Sequence, residues 1–152
     1  DYYLACRQDA WQTIYGNLDR YDGAGFLDDA YDSWKANPKS LVVAMAGSHR
    51  AGLLQLDPRR GQETHEAYIS FLYLAPEQRN NGVGIQLIGK AVSLSRPLDC
   101  DKLGLVCSEQ NAHALAFYQK YGFHTIGTEA GAYGTLYRMQ KDIGYTVRED
   151  LM

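Results

Sequence analysis

The chain has 152 residues, 45% of them hydrophobic and 22% charged, with a formal net charge of −3. That length is one domain able to bury about 70% of its extended-chain surface, and the acidic balance excludes the broad basic face of a nucleic-acid-binding protein. Three cysteines with no C-x-x-C pair and four histidines without ligand spacing exclude a disulfide framework and a zinc site, no apolar run reaches the ~18 residues of a membrane span, and no signal peptide is visible, so the expectation is a cytoplasmic protein without metal, membrane or nucleic acid.

In chain order, Leu4, Trp11, Ile14 and Tyr15 recur with helical spacing over residues 3–18, and Gly16-Asn17 punctuates the end of that segment. The polar turn Asp19-Arg-Tyr-Asp22-Gly precedes a second helix over 24–36. Residues 41–46 and 51–56, joined through Gly47-Ser-His, read as a hairpin, followed by an exposed loop over 57–66 and a strand ending at Leu72-Tyr73-Leu74. A helix over 82–96 places Ile85, Ile88, Ala91, Val92 and Ser95 along one side, with Leu87 and Leu94 near its margin, and its few polar residues predict deep burial. A strand over 103–108, a helix over 111–121 and two strands near 123–128 and 134–141 complete the chain, with Gly127, Gly131 and Gly134 marking the last connection.

The segment that carries chemistry is the one where the strand ending at Leu74 breaks at Pro76 and enters the 82–96 helix through Gly82-Val83-Gly84. The first N–H groups of a helix have no intrahelical partner and sit at the positive end of its dipole, so such a turn holds an anion without a metal. Arg79 stands just before it with a guanidinium fork suited to phosphate. Gly84-Ile-Gln-Leu-Ile-Gly89-Lys90-Ala91 has P-loop spacing, but Ala91 occupies the place of the magnesium-binding hydroxyl. Gly82-Val-Gly84 opens like a dinucleotide fingerprint, but Leu87 replaces its third glycine.

What remains, Arg79-Asn80-Asn81-Gly82-Val83-Gly84, resembles the R/Q-x-x-G-x-G/A signature of the GCN5-related N-acetyltransferases. Leu105-Val-Cys-Ser-Glu-Gln-Asn111-Ala-His-Ala-Leu-Ala-Phe-Tyr118-Gln-Lys-Tyr-Gly122-Phe123 resembles that family's second motif, and together the two cover about residues 66–126. The resemblance implies an α/β (α+β) fold over 1–152, with a mixed, mostly antiparallel central sheet flanked by helices. The family opens with a strand before its first helix, and Asp1-Tyr-Tyr is too short for one, so that strand lies upstream or is dispensed with. A looser similarity, in Asp9-Ala-Trp-Gln-Thr-Ile-Tyr-Gly and Lys141-Asp-Ile-Gly-Tyr, is to acetyltransferase domains fused behind a histidine phosphatase.

By the same resemblance the cofactor is acetyl-CoA, its pyrophosphate lying on the turn from Arg79 through Asn80, Asn81, Gly82 and Val83 to Gly84. Backbone groups of Leu72, Tyr73 and Leu74 then hold the pantetheine arm beside a strand bulge. Asn111 bonds the arm or caps the helix it begins, and Tyr118 is the general acid or, read blandly, a core residue. The activity implied is acetyl transfer to the primary amine of a small molecule or peptide; a catalytically silent acyl-CoA-binding regulatory domain is the alternative. Glu66, Tyr68, Ser70 and Tyr73 lie where a general base would be sought, and alternation puts Glu66, Tyr68, Ser70 and Leu72 on one face until a bulge intervenes. Cys107 reads as a small buried hydrophobe.

On the acceptor side the resemblance implicates Asp19–Gly23, Asp28, Asp29, Asp32 and the 131–137 segment. Either these aspartates attract a cationic amine, with Tyr21, Tyr133 and Tyr137 as aromatic faces, or they serve turns and helix starts. A homodimer and an upstream fusion partner are both left open.

Overall fold

Two helices open the chain in the computed structural model, which describes residues 1–61 and 63–144. Helix α1 (Tyr2–Tyr15) starts where the Asp1 carboxylate accepts from the Tyr3 N–H, and ends at Gly16 with φ 78°, a left-handed conformation that suits glycine. Helix α2 (Gly23–Ala36) starts where Asp22 accepts from the Gly25 N–H. Strands β1 (Leu41–Ala46), β2 (His49–Asp57) and β3 (Glu66–Leu74) follow, then helix α3 (Val83–Ser95), strand β4 (Lys102–Ser108), helix α4 (Ala112–Lys120) and strands β5 (His124–Gly131) and β6 (Gly134–Asp142).

The six strands form one sheet in the order β1-β2-β3-β4-β6-β5. Every neighbouring pair is antiparallel except β3 and β4, so the expected mixed, mostly antiparallel sheet is present. Among the described residues no strand precedes α1. Tyr145, the last residue of the looser C-terminal similarity, and residues 146–152 of the expected domain lie outside the described residues.

Each face of the sheet has its own core. Against α3 and α4 pack Leu54, Leu56, Ile69, Leu103, Leu105 and Met139; on the other face Tyr3 of α1 and Ala30 of α2 cluster with Leu53 of β2, with Phe26 of α2 and Phe71 of β3 beside them. The second layer is tied by a buried amide. Gln55, 0% exposed on β2, accepts from the Tyr3 hydroxyl (2.7 Å) and from Arg7 Nη2 (3.3 Å), and donates to Asp29 (3.0 Å) and Ser33 (3.3 Å). A buried amide with both ends bonded contributes specificity, whereas one left unpaired costs about 1–3 kcal/mol.

Helix α1 buries Tyr3 and Cys6, while Leu4, Trp11, Ile14 and Tyr15 are only partly buried, Leu4 at the margin of the α1-side core. Helix α3 buries Ile88, Ala91 and Ser95 as expected, but its packed face is rotated slightly from Ile85 and Val92 towards Gly84 and Leu87. It buries Gly84, Leu87, Ile88, Ala91 and Ser95, and leaves Ile85 42% exposed. Gly84 sets that rotation, because a Cβ there would lie 2.5 Å from Cε1 of Phe117 on α4 and 3.2 Å from Leu74 on β3. Its missing side chain lets α3 approach both neighbours, which is a packing role beside the anion-binding role read from the sequence.

Gly84→Ala should therefore destabilise the fold by about 1–3 kcal/mol, the usual cost of overpacking, and Phe117→Leu in the same chain should recover part of it. Urea unfolding of the two variants checks this, and an unchanged midpoint for Gly84→Ala would show that the Phe117 ring moves aside freely.

Candidate active site

The parallel pairing of β3 with β4 is short. It joins Glu66, Ala67 and Tyr68 to Lys102, Leu103 and Gly104, and then stops. Past that point β3 continues on β2 alone and β4 continues on β6 alone, so the sheet splits and the β4-facing edge of residues 69–74 has no strand partner. The split begins at a bulge. Gln55 pairs with Phe71 and Leu56 with Ile69, which leaves Ser70 as the extra residue on β3.

The bulge changes which side chains face where. Before it Ala67 and Ile69 point to the α3 layer, and after it Leu72 and Leu74 do; Phe71 and Tyr73 join the α1 layer. The sequence expectation that Leu72 shares a face with Tyr68 holds only up to Ser70. Tyr73 is then anchored from its side chain, its hydroxyl donating to Asp9 on α1 at 2.5 Å.

The open edge of β3 leads to the anion-type turn. Pro76–Gln78 form a 3-10 turn, Asn80 takes a left-handed conformation (φ 67°), and Gly82, with φ 81°, is the residue before α3. No side chain caps α3, and no carbonyl outside it accepts from the N–H groups of Val83, Gly84 or Ile85 among the described residues. Arg79 and Val83 are partly exposed beside this terminus, and Asn80, Asn81 and Gly82 are exposed. A Cβ at Gly82 would meet nothing within 4 Å, so the glycine there answers to its backbone conformation and leaves the approach to the helix end clear.

Helix α4 brings its residues to the split from the α3 side. Asn111 caps it, Oδ1 accepting from the Ala114 N–H at 3.2 Å, so the capping reading holds and the amide nitrogen remains a separate donor. Tyr118 is 8% exposed, in ring contact with Phe117 and Phe123. Burial pushes its phenol well above the ordinary tyrosine value, with the nearby Cys107 thiol adding to the shift, so at neutral pH it stays protonated. Cys107 on β4 is itself buried, and desolvation raises its thiol to about 11, which removes the thiolate needed for a covalent route. Gly122 (φ 92°) and buried Phe123 end α4 as expected, as a turn glycine and a core anchor.

On the opposite face a cavity of about 530 Å³ lies between α1, α2, the β2–β3 loop and the β5–β6 turn, and reaches the bulge through Tyr68 and Ser70. Trp11, Phe26 and Tyr133 supply aromatic walls, and Arg7, Arg20 and Arg60 line it together with Asp22, Asp29 and Asp57. Of the acceptor-side residues read from the sequence, Arg20 and Asp22 of the Asp19–Gly23 turn, Asp29 and Tyr133 are here. Asp19, Asp28, Asp32 and Tyr21 are not in the lining, and Tyr137 packs on the α3-side core instead.

The acidic residues answer mainly to turns and ion pairs. Asp22 caps α2, and Arg59 bonds Asp57 and Asp29 at 2.9 Å each with Asp32 at 3.6 Å. Those hydrogen bonds, that to Asp57 first, push the Arg59 guanidinium still further above its ordinary value.

The base candidates fare unevenly. Burial raises the phenols of Tyr68 and Tyr73, which keeps both protonated at neutral pH. Glu66 accepts from Gln140 Nε2 at 2.6 Å, lies over Gly104, and lines a separate cavity of about 470 Å³. Sequence reasoning missed Arg7, whose signal was a cation four residues from both Tyr3 and Trp11 on α1, and Arg60, which carries no motif; it placed Arg20 within the acceptor-side turn Asp19–Gly23 but gave its charge no role.

Among the described residues no group of three or more His, Cys, Asp or Glu is placed to hold a metal, and no helix is long and apolar enough to cross a membrane. A sheet split between two central strands, with an uncapped helix end at the head of the split, belongs to the acyl-CoA N-acyltransferase fold. The chain matches the acetyltransferase (GNAT) family over residues 4–123, and it belongs to that family.

It is 29% identical over 111 residues to GCN5-related N-acetyltransferase 4, chloroplastic, of Arabidopsis thaliana, covering 66% of this chain and 38% of that protein; the chain thus spans well under half of that relative. Its fold is shared with Ard1 from Thermoplasma volcanium (TM-score 0.69, 22% identity, 90% of this chain and 93% of that one). It is likewise shared with the PaiA N-acetyltransferase from Thermoplasma acidophilum in complex with coenzyme A (TM-score 0.68, 20% identity, 91% and 89%).

The raised Cys107 thiol has a consequence for stability. Because its value moves from 9.0 to about 11 on folding, the stability carried by the neutral thiol is complete below pH 9.0 and is lost as pH rises through about 11. Urea unfolding from pH 8 to 11 should show a shallower decline for Cys107→Ala than for the wild type; parallel curves would remove Cys107 from that window.

Proposed function

We propose that the chain transfers acetyl from acetyl-CoA to a primary amine by direct attack. The observation that carries this reading is the open edge of β3 from the Ser70 bulge to Leu74, continued by the uncapped N–H groups of Val83, Gly84 and Ile85. The edge suits an extended amide-bearing arm laid alongside Leu72, Tyr73 and Leu74 as an added strand, and the helix end suits the pyrophosphate, with Arg79 as its counter-charge. Asn111 has its amide nitrogen left for the arm. The fit needs no metal, because the helix dipole and the N–H groups supply the positive potential.

Acetyl transfer requires a neutral amine, a polarised thioester carbonyl and a protonated leaving thiol. The amine nitrogen bonds to the carbonyl carbon, a β3 backbone N–H stabilises the oxyanion, and the C–S bond then breaks with its electron pair on sulfur. Tyr118 donates its phenolic proton towards that sulfur, and the nitrogen loses its extra proton to water. Water serves as the proton acceptor here because Tyr68 and Tyr73 are held protonated and Glu66 is engaged by Gln140. The aromatic-walled cavity reaching Ser70 from the other face of the sheet supplies the acceptor's entry, and favours turnover over a silent binding domain.

Two substitutions test the two halves. Asp and Asn both tolerate a left-handed backbone, so Gly82→Asp and Gly82→Asn carry similar strain and differ by one negative charge. The aspartate variant should bind CoA at least about tenfold more weakly than the asparagine variant in calorimetry, and equal affinities would remove the pyrophosphate from this turn. Tyr118→Phe should lower turnover by about 10²-fold with acetyl-CoA affinity little changed. Unchanged turnover would leave Tyr118 a packing residue, and CoA binding without thiol release for any amine would make this a silent binding domain.

A further inference from the structure

The cavity on the α1 and α2 face has an imbalance in its hydrogen bonding. Its carboxylates are largely occupied: Asp29 uses both oxygens, one on Gln55 and one on Arg59, Asp57 uses both on Arg59, and Asp22 gives one oxygen to the Gly25 N–H. Its guanidinium groups are not. Arg7, Arg20 and Arg60 have no carboxylate within 4.0 Å among the described residues, although the lining is formally balanced at three charges of each sign.

Arg7 is the most constrained of the three. Its Nε donates to the Tyr3 hydroxyl at 2.9 Å and its Nη2 to Gln55, and its Cζ lies 4.0 Å from the Phe71 ring centre and 4.3 Å from that of Phe26. A partly buried guanidinium held between two rings, with N–H groups to spare and no counter-ion, is a site prepared for a planar anion. Arg60 is similarly laid on the Tyr68 ring at 3.7 Å, and Arg20 faces Tyr133 at 5.2 Å. Phe71, beneath Arg7, is the residue after Ser70, so the anion site borders the point where the cavity meets the split sheet.

We infer that the acceptor carries a carboxylate close to its amine, making it a molecule of the amino-acid class, and that Arg7, with Arg60 and Arg20, recognises that carboxylate while the aromatic walls take an apolar body. This rests on the acetyl-transfer reading for the amine, but the anion site stands on its own geometry. Of the two sequence-based alternatives it sets aside the cationic acceptor, because Asp29 and Asp32 pair with Arg59 and Asp22 caps a helix.

Thiol release from acetyl-CoA should be measured with the common amino acids, each beside its carboxamide, and with polyamines. Calorimetry should compare N-acetyl amino acids with their amides in the presence of CoA. The best acids should exceed their amides by about tenfold or more in kcat/KM, chiefly through KM, and the corresponding acetylated acids should bind preferentially. Arg7→Gln and the exposed Arg60→Gln should each shrink that preference with CoA affinity retained; Arg60→Gln guards against a folding defect at Arg7.

Equal or better use of amides or polyamines overturns the inference and leaves acetyl transfer standing. Preferential binding of the acids without any turnover overturns acetyl transfer and leaves the anion site standing. Neither turnover nor binding of any acid overturns the inference.

Discussion

The end of pairing between β3 and β4 after Tyr68 and Gly104 is the constraint from which the rest of the architecture follows. A continuous sheet would satisfy the backbone of both strands and leave no place for a ligand between them. One extra residue, Ser70, ends that continuity and also reverses the faces of the strand beyond it. Phe71 and Tyr73 thereby become the platform under α1, where Arg7 and Asp9 meet them, while Leu72 and Leu74 become the bed for α3. A regular strand would place those four side chains the other way, with a polar hydroxyl in the core and a leucine under the arginine.

The split sheet divides the labour between its two faces. The α3 and α4 layer holds the uncapped helix end, the close contact of Gly84 with Phe117, and the buried phenol of Tyr118. The α1 and α2 layer holds the aromatic cavity and its guanidinium groups. Desolvation acts on both sides, but differently: around Tyr118 and Cys107 it keeps protons on, whereas around Arg7 aromatic faces stabilise a permanent charge.

Much of this was legible in the sequence, for identifiable reasons. The order of elements followed from periodicity and from glycine and proline punctuation, and the turn from Arg79 to Gly84 and the helix from Asn111 carried local patterns that few other structures need. A bulge was implied by the family resemblance, but its position left no mark, because Ser70 is an ordinary strand residue and only pairing with β2 singles it out. The face of α3 was read correctly at Ile88, Ala91 and Ser95 and missed at its start, where Gly84 and Leu87 are buried and Ile85 is not, since Gly84 counts as neutral in an apolar pattern yet is in close contact with Phe117. The role of the acceptor-side aspartates stayed open in the sequence: it shows that they are there and that they suit turns and helix starts, but not that Arg59, distant in sequence from Asp29 and Asp32, pairs with them.

Gln55 bears on how such a domain can change. The cavity is built mainly by α1, α2 and the β2–β3 loop, none of which enters the α3-side core, so acceptor preference can diverge while the opposite layer is preserved. The buried amide limits which replacements are compatible. A segment grafted over residues 1–40 must bring a hydroxyl to position 3, another to position 33 and a carboxylate to position 29, or it leaves the amide partly unbonded between two helices and a strand. Gln55 is thus a matching key between the interchangeable half of the molecule and the fixed one, although no ligand need ever touch it.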